Sequence, residues 1–302
     1  MTEGLRYREP VALGRVGVWW SGSWRPGEDG LEPAAELESL GFGALWSSGG
    51  FDPGLAPRFG RMLEATRRAT VASGIVSIWA STADDVAAGA DALEAAHPGR
   101  FLLGLGVSHA PLASDYARPY ERMVGFLDRL DALGDAVSPE RRMLAALRPR
   151  MLELAAGRSA GAHPYFVPVE HTARAREIMG PGAVLAPEVT VLLDEDPARA
   201  RETARAFTRG YLTLPNYAGN LRSLGFADDE LADGGSDRLV DAVVAHGDAD
   251  RIAARVRAHH DAGADHVAVQ MLGPMDRLPL EGYRALASAL GLPPGPSTAA
   301  GP

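Results

Sequence analysis

The chain has 302 residues, 46% of them hydrophobic and 23% charged, the make-up of a globular protein with one large core or two small ones. Its formal net charge of −9, with arginines scattered among acids, argues against a nucleic-acid surface and leaves room only for a local anion site. Cysteine and lysine are both absent, which excludes thiolate nucleophiles, disulfides, iron–sulfur clusters, Schiff-base lysines and the phosphate-binding lysine of a P-loop.

Residues 1–13 carry charges and a proline but no signal-like apolar run, and nothing approaches the roughly 18 apolar residues of a membrane helix. A cytoplasmic protein without membrane contact is expected. Short β-rich runs then alternate with helical patterns to the end of the chain. The runs are Arg15 to Trp19, Gly43 to Trp46, Thr70 to Val76, Phe101 to Leu105, Arg142 to Ala146, Gly161 to Val167, Leu185 to Leu193 and His266 to Met271. Helices are expected at Asp84 to Ala96, at Tyr120 to Leu133, and from Pro149 to about Ala156 with Gly157 at its end.

The long connection from Asp196 to Asp265 reads as several helices: Pro197 to Gly210, a stretch around Asn220 to Leu224, Asp237 to His246, and Asp250 to His260. Ser236 and Asp248 suit their N-caps. Eight βα units favour a (β/α)₈ TIM barrel over a doubly wound sheet, folded as a single domain over residues 1–302 with this helical insertion between strands seven and eight. In a barrel the ligand site lies at the C-terminal strand ends. The tail from about 293 to 302, rich in Pro, Gly, Ser and Ala, is expected to be disordered.

At those strand ends several residues carry chemistry. Trp19, Trp20, Trp24, Trp46 and Trp79 all fall in the first three units, as barrel core or as a mouth for something flat. Gly74 interrupts the third strand, where an isolated glycine usually marks a bulge. Arg148 and Arg150 flank a helix start whose free N–H groups favour an anion; solvated arginines are the alternative. His97, His171 and His246 sit near helix ends and are expected at the surface, and the adjacent His259 and His260 cannot pair on a metal. His109 and His163 lie at the mouth, as proton carriers or as structural hydrogen-bonding residues. Glu188 and Asp265 are acidic and suggestively placed, with capping or salt bridges as the other reading.

The run PGRFLLGLGVSHAP (residues 98–111) resembles the fourth strand of the luciferase-like flavin and deazaflavin oxidoreductases. ESLGFGALW, VASGIVSIWA, AALRPRMLELAAG and AGADHVAVQ resemble, in order, the second strand, the third strand, the fifth strand with its helix, and the last strand of that family. GAHPYFVPVEHTARAREIMGPG, LPNY and GGSDRLVDA look like an F420-dependent subgroup. The resemblance implies hydride transfer between coenzyme F420 and a small organic substrate. FMN-dependent monooxygenation, or cofactor binding without turnover, is the alternative.

It further implies a homodimer and a non-proline cis peptide at Gly74 to Ile75. The implied cofactor contacts are Trp46, Ser73, Gly74 and Ile75 on one side, Gly106 and Ser108 after strand four, and Leu147, Arg148 and Arg150 after strand five. In relatives the loop after strand two carries an Asp-His pair near the ring. WSSGGFDP puts Gly49 and Gly50 there, so the proton must come from elsewhere, His109 first, His163 second and Tyr165 third.

Overall fold

The chain, seen as a computed structural model, is described over residues 12–20, 32–49, 55–113, 116–133, 137–274 and 277–295. Trp24, Gly50 and the tail from 296 onward lie outside the described residues.

Among the described residues, eight parallel strand positions form the barrel. They are β1 (Val16–Trp20), β2 (Ala44–Ser47), β3 (Thr70–Ser73) with β4 (Val76–Ser77), β5 (Phe101–Gly106), β6 (Arg142–Leu144), β7 (Gly161–Ala162), β8 (Val184–Leu185) with β9 (Glu188–Leu193), and β11 (Val267–Met271). The segment 184–193 bonds to β7 through β8 and to β11 through β9, and β11 bonds to β1, so the ring closes as expected.

Period-two alternation explains the layers. Along β5, Leu103 and Leu105 join the outer core under the helices, while Leu102 faces the barrel interior with Trp19, Trp46, Ala72 and Met143. Gly104 and Gly106 share the inward parity of Leu102. A Cβ on Gly106 would stand 2.6 Å from Ile75 Cδ1, and one on Gly104 would run into the Ser73 carbonyl. The LGLG run is thus what lets the third strand bulge inward.

Four expected strands are interrupted or shortened, the fifth only in ending at Leu144 rather than Ala146. The third breaks at a cis peptide between Gly74 and Ile75, where the resemblance implied one. The sixth stops at Ala162 because Pro164, Pro168 and a left-handed Phe166 (φ 58°) lead the chain away from the sheet. The seventh divides at Ala186 and Pro187, where proline offers no N–H to a ladder.

The outer layer contains α1 (Glu32–Ser39), α2 (Leu55–Ala65), α3 (Ala83–Ala96), α4 (Pro119–Asp131), α5 (Pro149–Arg158), α6 (Val169–Met179), α10 (Ala249–Asp261) and α11 (Leu280–Leu290). Between β9 and β11 the insertion adds α7 (Pro197–Leu212), α8 (Pro215–Ser223), α9 (Asp237–Val243) and the strand β10 (Val244–Gly247). Ser236 and Asp248 cap α9 and α10 through their side chains, accepting from Leu239 and Arg251 N–H.

Two helix expectations need correction. Gly157 lies inside α5, and the expected helix through His246 ends at Val243, after which Val244–Gly247 pairs with β9. The insertion has a core of its own around Phe166, Tyr217, Leu221, Leu239 and Val240. Beyond α11, Gly295 N–H donates to the Ser39 carbonyl, so the first tail residues run along the end of α1.

Candidate functional site

A cavity of about 670 Å³ opens at the C-terminal ends of the barrel strands. Its wall is built in strand order by Trp19 of β1, the Gly74–Ile75 bulge, Gly106 to His109 after β5, Ala145 to Met151 after β6, and His163 and Tyr165 after β7. Thus Gly74, Ile75, Gly106, Ser108, His109, Leu147, Arg148, Arg150 and His163, scattered over ninety residues of sequence, face one space.

Two residues expected at the cofactor, Trp46 and Ser73, do not reach the cavity. Trp46 is fully buried, stacked on His163 at 4.2 Å with rings 10° from parallel, and its indole N–H donates to His266 Nε2 at 3.0 Å. Ser73 is tied within the wall, its Oγ donating to the Gly104 carbonyl and accepting from Gly104 N–H. Trp46 points into the barrel below the mouth, where it meets other side chains rather than solvent, and Ser73, one residue on from the inward Ala72, bonds the backbone of the neighbouring strand; both support the wall from behind.

The aromatic mouth also differs from the one anticipated. Of the described tryptophans only Trp19 lines the cavity, while Trp79 packs beside Tyr116 and donates to the Val107 carbonyl at 2.7 Å, bracing the loop that carries His109. Tyr211, Asn216 and Tyr217, from α7 and α8 of the insertion, supply the rest. The Tyr165 hydroxyl donates to Gln270 Oε1 at 2.7 Å and meets the Tyr211 hydroxyl at 2.8 Å. A helical pattern marks these residues as helix but does not reveal that the helix folds back over the mouth.

At the far end Pro149 begins α5, and Arg148 is its N-cap residue. The Arg150 guanidinium lies 4.1 Å from the centre of the Tyr120 ring. That of Arg148 lies so close to Gly219 of α8 that a Cβ there would overlap it. Both arginines are exposed at the cavity edge. His171, expected at the surface, is instead buried in α6 and bonds the Leu147 carbonyl through Nε2 at 2.8 Å, fixing the peptide just before this helix start. His246 is buried too, on β10, with Nε2 2.9 Å from Asp241.

The mouth histidines differ in protonation. His109 is half-buried, beside Tyr217 at 4.8 Å between centroids, with its Nδ1 3.4 Å from Asn216 Nδ2. Burial holds its pKa below the ordinary value. His163 is deeper: burial pushes it down to about 4, and its Nδ1 lies 2.6 Å from the Ala186 carbonyl. A carbonyl only accepts, so Nδ1 carries the proton and Nε2 presents a lone pair. Among the described residues that Nε2 has no partner, and neither has the buried Trp19 Nε1–H.

The two acids resolve differently. Asp265 accepts from Leu185 N–H and pairs with Arg176, a brace away from the cavity. Glu188 is completely buried and accepts from Thr190 Oγ1 at 2.6 Å and from Phe166 N–H at 3.2 Å. No group of three or more His, Asp or Glu placed to hold a metal occurs among the described residues.

This arrangement suits a flat ligand with an anionic end. The cavity lining is largely apolar, two buried ring nitrogens on its floor lack partners among the described residues, and the side chains of Arg148 and Arg150 stand at a helix start.

The sequence model of the luciferase-like monooxygenase family matches residues 11–266. No curated protein sequence matches the chain. Among solved structures, an F420-dependent secondary alcohol dehydrogenase bound to an F420–acetone adduct superposes with a TM-score of 0.71 at 14% identity, over 92% of this chain and 99% of that one. The F420-dependent tetrahydromethanopterin reductase of Methanopyrus kandleri gives 0.66 at 14% identity, over 92% and 99%. The oxygenating constituent of 3,6-diketocamphane monooxygenase from Pseudomonas putida, in complex with FMN, gives 0.63 at 14% identity, over 91% and 96%. At these identities the likeness speaks for the shared barrel fold. No helix among the described residues is long and apolar enough to cross a membrane.

Proposed function

Because the chain belongs to the luciferase-like monooxygenase family, we propose that it is an oxidoreductase transferring a hydride between coenzyme F420 and a small organic substrate. The observation that carries this reading is the two-ended cavity. An aromatic-walled space over the Gly74–Ile75 bulge continues to the α5 N-terminus, where Arg148 and Arg150 stand ready for a phosphate. F420 supplies the hydride acceptor or donor when bound. Proteins of this fold named as F420-dependent or bound to FMN support a cofactor of that class.

Each residue then has a task. Arg148, Arg150 and the free N–H groups of α5 hold the phosphate, with Leu147 fixed beside them by His171. Gly74, Ile75, Gly106 and Ser108 shape the surface on which the ring lies, supported from behind by Ser73 and Trp46. His109 carries the proton to or from the substrate, since it is accessible from the mouth and Asn216 faces its Nδ1. His163 is the weaker candidate for that task, because burial holds it neutral and Nδ1 is engaged.

Titration with F420, followed by exposure of the complex to ketones, enones and alcohols, tests the reading. Quenching of F420 fluorescence on binding and substrate-dependent bleaching are expected. Tight FMN binding with oxygen uptake would replace it by a monooxygenase, and binding without turnover of any panel member would remove the catalytic reading.

A further inference from the structure

On the floor of the cavity two ring nitrogens are buried without partners among the described residues, although the rings that bear them are held in place. Trp19 is 5% exposed and His163 2%, and both line the cavity. A polar atom shut off from water and left unpaired is destabilising, so a partner supplied by a ligand is favoured there.

Their roles are opposite and fixed. An indole N–H can only donate. His163 spends its one proton on the Ala186 carbonyl, so its Nε2 can only accept, and burial keeps the ring from taking a second proton near neutral pH. The ring cannot turn away to find another partner. It is stacked on Trp46, which is itself tied to His266, whose Nδ1 in turn donates to the Gly14 carbonyl at 2.8 Å.

Both atoms converge on one place. A Cβ on Gly74 would stand 2.5 Å from Trp19 Nε1 and 3.2 Å from His163 Nε2. Any side chain at Gly74 would press on the Trp19 indole, so only glycine fits beside the two nitrogens.

We propose that Trp19 and His163 form a two-point polar subsite beside Gly74, which takes a ligand group able to accept one hydrogen bond and donate another: a hydroxyl, or the adjoining C=O and N–H of a cyclic imide. Trp19 Nε1–H donates to the oxygen of the group, and its O–H or N–H donates to His163 Nε2. A carboxylate or an ether satisfies Trp19 alone, and an ammonium satisfies His163 alone, so each leaves one buried atom unpaired. The subsite rests on the oxidoreductase reading for the two sources of such a group. One is the pyrimidine half of a flavin or deazaflavin ring, which is a cyclic imide, and the other is the hydroxyl of an alcohol substrate.

The test follows the Trp19 indole N–H resonance in the full chain, identified by its loss in Trp19→Phe. The protein is titrated with F420 alone, with FMN alone, and then with secondary alcohols and their methyl ethers in the presence of oxidised F420. A downfield shift with the cofactors alone supports the subsite and assigns it to the ring. A shift only on adding alcohols supports it and assigns it to the substrate, and the methyl ethers then bind about tenfold or more weakly, the scale of one buried hydrogen bond left unmade.

Trp19→Phe should weaken the same ligand about tenfold without lowering the melting temperature by more than a few degrees. A resonance that stays still while ligands bind, ethers that bind as well as alcohols, or a protein that binds none of the four classes overturns the proposal. F420 bleaching with an unmoved Trp19 resonance overturns the subsite and leaves the oxidoreductase reading standing. Alcohols that shift the resonance of a protein binding neither F420 nor FMN do the reverse.

Discussion

His109 and His163 both line the cavity, but His109 is only half-buried where His163 is almost fully enclosed, so burial lowers the His109 pKa without removing its path for a proton. A neutral imidazole is the form that accepts a proton from an alcohol as the hydride leaves. Oxidation should accordingly rise with pH through a value below the ordinary 6.5 and then level off, because the neutral form persists to lower pH than in a free histidine. His109→Ala should lower turnover by about 10² to 10⁴ and erase that limb of the profile, with F420 affinity nearly intact. A pH–rate profile and turnover unchanged in His109→Ala, in His163→Ala and in the double variant would place the proton with solvent or substrate. Replacing Arg148 and Arg150 together by Ala should weaken F420 more than a deazaflavin lacking the phosphate tail. Both side chains are exposed, so the difference should shrink as salt is added. Equal losses for the two ligands in fluorescence titrations would remove these arginines from the phosphate site.

The helices α3, α4, α7 and α10 are legible in the sequence because their apolar stripes, caps and prolines agree. The strand β10 is not, since Val243 and Val244 continue the apolar face of α9 and no glycine or proline stands between them. What turns Val244–Gly247 into a strand is the free edge of β9, a tertiary partner no local pattern announces. The same blindness hides the insertion's part in the site. LPNY is visible as a motif, yet Asn216 and Tyr217 become wall residues only because α8 packs over the mouth, with Gly219 against the Arg148 guanidinium. Gly219 lies within α8, where alanine is favoured over glycine by about 1 kcal/mol. Gly219→Ala should therefore leave the melting temperature unchanged or slightly higher, because the atom it meets is the movable end of an arginine. It should weaken F420 several-fold by pushing that guanidinium off its place. An unaltered dissociation constant would mean that the position of Arg148 does not matter for the cofactor.

For the molecule as a whole, the closed barrel was readable from eight alternating units, and the strand ends pointed to the cavity, but the interior charge of the barrel was not readable. Glu188 follows a proline in an ordinary strand run, and only closure of the ring shows that its carboxyl is wholly enclosed. Burial pushes its pKa up to about 7 from 4.5, against the two hydrogen bonds from Thr190 and Phe166 that favour the charged form. A carboxyl whose folded pKa is raised binds its proton more tightly in the native state. Its stabilising contribution is complete below pH 4.5 and is lost as pH rises through about 7, on the order of 3 kcal/mol in all. The buried histidines act in the opposite sense. His163 and His171 at about 4, and His259 and His266 at about 3, stay neutral when folded while the unfolded chain protonates below 6.5, so their effect is stability that rises with pH over much of the same window. Glu38 and Asp241 are lowered carboxyls, Asp241 to about 2, and their contribution is lost only at more acid pH. The parent curve mixes all of these, and Glu188→Gln separates one. The amide oxygen can still accept from Phe166 N–H, and the Thr190 hydroxyl can turn to accept from the amide, so the hydrogen bonds survive the change. Denaturant unfolding of parent and variant between pH 4 and 9 should give a difference that moves in favour of the variant from pH 4.5 to about 7 and is flat above. Parallel curves would mean that Glu188 titrates in the folded barrel as it does in the unfolded chain, and would require water to reach it.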